Sequence, residues 1–170
     1  MPDIIRDGMV VADDWLFVAD KESPDQPVPA GPVIVPVSTW VAQRETLADR
    51  ERLGVWLDSD EGPEIIADDV NRFDIIAINF PVFSDGRGYS YARQLRERYN
   101  FSGELRAIGD VLRDQLFYMA RCGFNAFAVR PDRDIRDALA GLRDFSESYQ
   151  AAVDQREPLF RRRNTAARPH

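Results

Sequence analysis

Near-continuous apolar runs punctuate the chain at 33–37 (VIVPV), 53–57 (LGVWL), 75–80 (IIAINF), 105–108 (LRAI) and 124–129 (FNAFAV). Unbroken apolarity, rather than alternation, is the pattern of strands covered on both faces, as in a parallel sheet. Between the runs, apolar positions recur at helical spacing. Ile66, Val70 and Phe73 form one stripe, and Tyr91, Leu95 and Tyr99 a second. Leu112, Leu116, Met119 and Ala120 form a third, and Ile135, Leu139, Leu142, Phe145 and Tyr149 the longest. The punctuation agrees: Ser38 and Asp132 suit helix N-caps, Pro63 a first turn and Gly123 a left-handed C-terminus. Together these predict an α/β fold of five or so βα units on a mainly parallel sheet with right-handed crossovers. The strand-to-strand steps are as short as those of (β/α) barrels, but five strands cannot close an eight-stranded one. The sheet is therefore either open and doubly wound or a partial barrel. Either has an exposed edge, which invites a homo-oligomer.

At the N-terminal side, the runs 9–12 (MVVA) and 15–18 (WLFV) flank Asp13 and Asp14, which predicts a β-hairpin there. Residues 21–32 carry four prolines and read as a loop. A single α/β domain is expected over 1–154. Residues 155–170 read as a basic, flexible tail with one apolar island, Leu159 and Phe160.

Composition narrows the classes. A chain of 170 residues with 44% hydrophobic and 30% charged residues is an ordinary globular domain. Its net charge of −7 speaks against general nucleic-acid affinity. No apolar run approaches the ~20 residues of a membrane span, and acids stand where a signal peptide needs bases. Cys122 is the only cysteine, which rules out an internal disulfide and a four-cysteine site. These features place the protein in the cytoplasm. Lys21 is the only lysine, and all other cationic side chains are arginines. Genome composition produces such a bias, and so does a need for two-pronged binding of carboxylates, phosphates or sulfur oxyanions.

In parallel α/β folds the carboxyl ends of the strands form the working rim. Asp58, Asp60 and Glu61 fall there, as do Asn79, the segment 84–88 (SDGRG), Asp110, Arg113, Asp114, Arg130 and Asp132. Gly86 and Gly88 would allow positive φ and close backbone approach. A helix from about Tyr89 would offer free amides, and Arg87 a bidentate charge. That combination holds a small anion, with Arg113 and Arg130 as further clamps, although the same residues also make a serviceable surface turn. Asp110 and Asp114 are the candidate general acid or base. Asp58, Asp60 and Glu61 could hold Mg²⁺, but acids before Pro63 serve equally as caps, and no metal site is assigned. No cofactor fingerprint is present. The only histidine is His170, so Cys122 reads as a buried thiol rather than a nucleophile.

The stretches 79–96 (NFPVFSDGRGYSYARQLR), 104–115 (ELRAIGDVLRDQ), 119–124 (MARCGF) and 158–162 (PLFRR) carry a resemblance. In them the chain resembles the bacterial proteins called domain of unknown function 934, over nearly all its length from the hairpin onward. The resemblance implies a context: such proteins are typically encoded beside sulfite reductase and the reductase for activated sulfate. Some carry an oxidoreductase label, but the family has no established catalytic residues to carry over. Two functions are expected. One is an accessory protein of assimilatory sulfur metabolism that binds a sulfur oxyanion, or a partner such as sulfite reductase or another sulfur-assimilation enzyme. Here Arg161, Arg162 and Arg163 with the Leu159–Phe160 anchor would dock the tail on an acidic partner. The other is a small α/β enzyme acting on a phosphorylated or carboxylated metabolite.

Overall fold

The chain opens with a two-residue turn that its sequence dictates. The strands β1 (Asp3–Arg6) and β2 (Met9–Ala12) are antiparallel, and Arg6 pairs with Met9 across Asp7 and Gly8. Both turn residues have positive φ, 52° and 79°, the geometry that Asp-Gly supplies to a tight hairpin. The next strand, β3 (Leu16–Phe17), belongs elsewhere. The expected hairpin about Asp13 and Asp14 is therefore not formed; those residues connect β2 to β3, which pairs in parallel with β4 (Val33–Pro36). The five apolar runs supply β4, β5 (Leu53–Leu57), β6 (Ile75–Phe80), β7 (Glu104–Gly109) and β8 (Ala126–Phe127). The computed structural model describes residues 2–82 and 84–144. The expected tail 155–170, and Phe145 and Tyr149 of the last stripe, lie outside them.

The sheet is mixed, with the order β2-β1-β8-β7-β6-β5-β4-β3. From β3 to β8 all pairs are parallel and sequential, whereas β1 runs antiparallel to both β8 and β2. Sequential order without reversal rules out the doubly wound alternative and places the crossover segments on one face. The edge strands β2 and β3 are joined by only Asp13, Asp14 and Trp15. Such a link reaches about 14 Å at most, whereas the edges of a flat eight-stranded sheet would stand about 34 Å apart. The sheet must therefore curl, and it forms a partial barrel.

The two faces of the curl differ. The outer face carries the main core, with Val35, Leu57, Ile78, Phe80 and Ala107 clustered with Trp40, Leu95, Leu116 and Met119. The last four come from α1 (Val37–Ala42), α3 (Arg87–Glu97) and α4 (Arg113–Cys122), and α2 (Arg44–Leu47) and α5 (Ile135–Asp144) add Leu47, Ala138 and Leu139. The inner face holds a smaller cluster of Ile34, Trp56, Ile75, Ala77 and Ile108, against which Trp15 packs. Arg106 also points to this inner face, alternating with Leu105 and Ala107.

Local departures from expectation have visible causes. The Ile66–Val70–Phe73 stripe is two 3-10 turns, Pro63–Ile66 and Val70–Arg72, not one helix. Asp69 is drawn inward to accept from Trp40 Nε1 at 3.2 Å and pairs with Arg44 at 3.0 Å, so the chain turns there. Ser38 lies inside α1, whose cap is Pro36, and donates to Lys21 O at 2.8 Å. Asp132 pairs with Arg130, and Asp134 instead accepts from Arg136 N at the start of α5. Gly123 ends α4 with φ 121°, as expected. Among the described residues, no helix is long and apolar enough to cross a membrane.

Candidate functional site

Because β3 to β8 run in one direction, the loops after them share one rim, which brings together side chains far apart in sequence. Asp58, just past β5, sits at its centre. Its carboxylate accepts from Lys21 Nζ at 2.8 Å, from Asn79 Nδ2 at 2.9 Å and from Ser59 N at 2.9 Å. Burial pushes the Asp58 carboxyl upward, but these donors outweigh it and hold the group below its ordinary 3.8. The same pairing raises Lys21 above 10.5. Both groups are therefore ionised, and Lys21 acts as a fixed cation rather than an amine nucleophile. Glu61 is occupied locally, accepting from Asp58 N at 2.8 Å, and Asp60 lies 3.8 Å from Lys21. Among the described residues, no three His, Cys, Asp or Glu side chains are placed to hold a metal ion.

The loop after β6 builds the second group. α3 begins at Arg87, two residues before the expected start. Asp85 accepts from the Arg87 backbone amide at 3.1 Å, and from its side chain through Nε at 3.1 Å and Nη2 at 2.7 Å. The Arg87 side chain, then its amide, hold the Asp85 carboxyl at about 2. Arg87 also donates to Ser59 Oγ at 3.0 Å, and Tyr91 OH donates to Ser59 O at 2.7 Å, fastening α3 to the end of β5.

Neither flanking glycine has the positive φ expected of it. Gly86 has φ −87°. Gly88 lies within the helix, where a Cβ would come 2.6 Å from the Phe80 ring. Its smallness serves packing against β6.

A third group closes the rim on the β8 side. Arg130 donates to Asp110 at 2.8 Å and to Asp132 at 2.9 and 3.1 Å. Arg113 pairs with Asp137 of α5. Arg113 and Asp114 line a cleft of about 440 Å³ with Asp132, Arg133, Asp134 and Asp137. The groups meet at Gly109, whose φ of 91° and absent side chain let it approach Asn79. A Cβ there would fall 2.3 Å from Asn79 Oδ1.

The anticipated residues Gly86, Arg87, Gly88, Asp110, Arg113, Asp114 and Arg130 thus stand around the C-terminal ends of the strands, as the parallel order requires. Each of the three arginines has its own carboxylate: Arg87 has Asp85, Arg130 has Asp110 and Asp132, and Arg113 has Asp137. Carboxylates outnumber cations around the rim. No motif in the sequence marks Lys21 or Ser59 as a rim residue. The available signal for Lys21 was its isolation in an arginine-only background. Cys122 is buried, and burial pushes its thiol above 9.0 despite nearby Arg93.

Residues 54–160 match the family model described as "Bacterial protein of unknown function (DUF934)". The matched span takes in Asp58, Asn79, Asp85 and Arg87 and leaves Lys21 outside. No curated protein matches the chain.

Proposed function

We propose that this chain, which belongs to the DUF934 family, is an accessory protein of assimilatory sulfur metabolism that docks a sulfur-assimilation enzyme at its acid-rich rim. The sulfur context rests on the resemblance carried by 79–96 and 104–115, and a cytoplasmic location accompanies that role. One observation supports docking over capture of a free oxyanion. The Asp85 carboxylate, bonded to both the first amide of α3 and the Arg87 guanidinium, occupies the position an incoming oxyanion would need. An oxyanion would have to displace it against the surrounding carboxylates. Rim side chains already held by ion pairs instead present fixed donors and acceptors, which lowers the ordering cost of meeting a partner surface.

The test is genetic and biochemical. A deletion strain is expected to grow poorly on sulfate or sulfite and normally on sulfide or cysteine. The tagged chain is expected to recover a sulfur-assimilation enzyme, and Arg87→Glu with Arg130→Glu to weaken that recovery. Normal growth on all four sources, with no such enzyme recovered, sinks the reading. Sulfite or sulfate raising the melting temperature beyond a chloride control, with loss of the effect in Arg87→Ala, would favour oxyanion binding.

A second reading is favoured by Lys21, Asp58 and Asn79. A charged, partly buried trio at the ends of parallel strands is where α/β enzymes place chemistry. An enzyme acting on a phosphorylated or carboxylated metabolite would use Lys21 to hold negative charge. Asp110 or Asp114 would then move the proton. Turnover that is lost on Lys21→Met, with folding retained, would establish it.

A further inference from the structure

α4 and α5 pack against each other and start after the adjacent parallel strands β7 and β8. The cleft of about 440 Å³ is lined from both starts. Its size falls in the range of small-molecule sites, about 300–1,000 Å³. Leu112 and Ala138 line it together with six charged residues.

Four of the six are engaged within the protein. Arg113 pairs with Asp137, Asp132 pairs with Arg130, and Asp134 accepts from Arg136 N at 2.9 Å. Gly141 belongs to the same construction. It lies inside α5, where a Cβ would stand 2.7 Å from both Cγ and Nε of Arg113. Glycine weakens a helix interior. Here it lets the Arg113 side chain pass close over α5 to reach Asp137. The walls of the cleft are therefore fixed before anything enters it, which lowers the ordering cost of binding.

Asp114 and Arg133 are different. Both line the cleft, yet among the described residues neither has an ion-pair partner, and they do not pair with each other. A simple anion would meet Arg133 against the repulsion of the surrounding carboxylates. A simple cation would meet Asp114 and leave Arg133 unanswered. A ligand that carries both charges answers both groups.

We propose that this cleft binds a free α-amino acid as its zwitterion. Asp114 accepts from the ammonium group, Arg133 holds the carboxylate by its two-pronged fork, and Leu112 and Ala138 give the ligand side chain apolar surface. The site goes beyond the docking reading and stands without it.

Calorimetry on the full-length protein tests this, with the standard L-amino acids as probes in turn. At least one is expected to bind saturably. Its N-acetyl form lacks the ammonium group and its amide form lacks the carboxylate, and each is expected to bind at least roughly tenfold more weakly. Asp114→Asn and Arg133→Gln are expected to weaken the intact amino acid by a similar factor. Both positions are exposed, so the unliganded variants should melt as the parent does. The proposal is overturned if no amino acid binds, if either analogue binds as tightly as the amino acid, or if either variant keeps full affinity. None of these outcomes alters the recovery of a sulfur-assimilation enzyme by the tagged chain, so the two readings fail separately.

Discussion

The Asp13 carboxylate, in the short link between the two sheet edges, lies 3.0 Å from the guanidinium of Arg106 on β7. Arg106 is 2% exposed and pairs also with Glu104 at 2.7 Å. The contact fixes the link to the inner face and so helps to hold the curl.

A buried ion pair is costly to break from one side, because the other charge stays behind without a partner. Arg106→Ala leaves both Asp13 and Glu104 without their shared cation and is expected to destabilise by about 3 kcal/mol or more. Asp13→Asn leaves the Glu104 pair intact and should cost about 1 kcal/mol. Urea unfolding of the two variants checks the order. Equal losses would make Asp13, rather than Glu104, the main partner.

Asp85 gives a pH signature. Its folded value of about 2 lies below the ordinary 3.8. A depressed carboxyl adds stability that is present above about pH 4 and lost as pH falls toward about 2. Asp85→Asn is therefore expected to melt lower than the parent near neutral pH, with the gap closing across that acid window. A gap that stays constant from neutral pH downward would assign the contribution to shape rather than charge.

The two glycines beside Arg87 should behave oppositely. A Cβ at Gly88 meets the Phe80 ring, and one at Gly86 meets nothing within 4 Å. Gly88→Ala is expected to destabilise by about 1–3 kcal/mol through overpacking. Gly86→Ala should stay within about 0.5 kcal/mol of the parent. Thermal melts of both separate packing from backbone freedom. A large loss at Gly86 would restore a conformational role there.

Cys122 should be inert in the folded protein. It is buried, its thiol is pushed upward by burial, and reactivity belongs to the thiolate. A thiol reagent at mildly alkaline pH is expected to label it slowly in the native state and fully after denaturation. Rapid native labelling would mean that α4 opens locally.

Parts of the site were legible and parts were not. The stretch 79–98 does end a buried strand and begin a helix, and its Arg87 does reach the rim, because strand direction and helix start are local properties. The use of its glycines was not legible. Gly88 is small because Phe80 lies beneath it, a contact that depends on how α3 lies on β6. Arg106 stood in plain view in the run 105–108, but nothing nearby in sequence indicated its partner Asp13.

The sequence alone located the five core strands β4 to β8 and the helices α3, α4 and α5, since near-continuous apolarity and helical spacing record burial locally. Tertiary structure alone decided the edges of the sheet and the destination of β3. It also decided the partners of the charges: Lys21 finds Asp58 at a separation of 37 residues, and Arg106 finds Asp13 at 93. The physical reason is range. Periodicity reports on neighbours along the chain, whereas strand order and ion pairing are set by which distant surfaces the curl brings together.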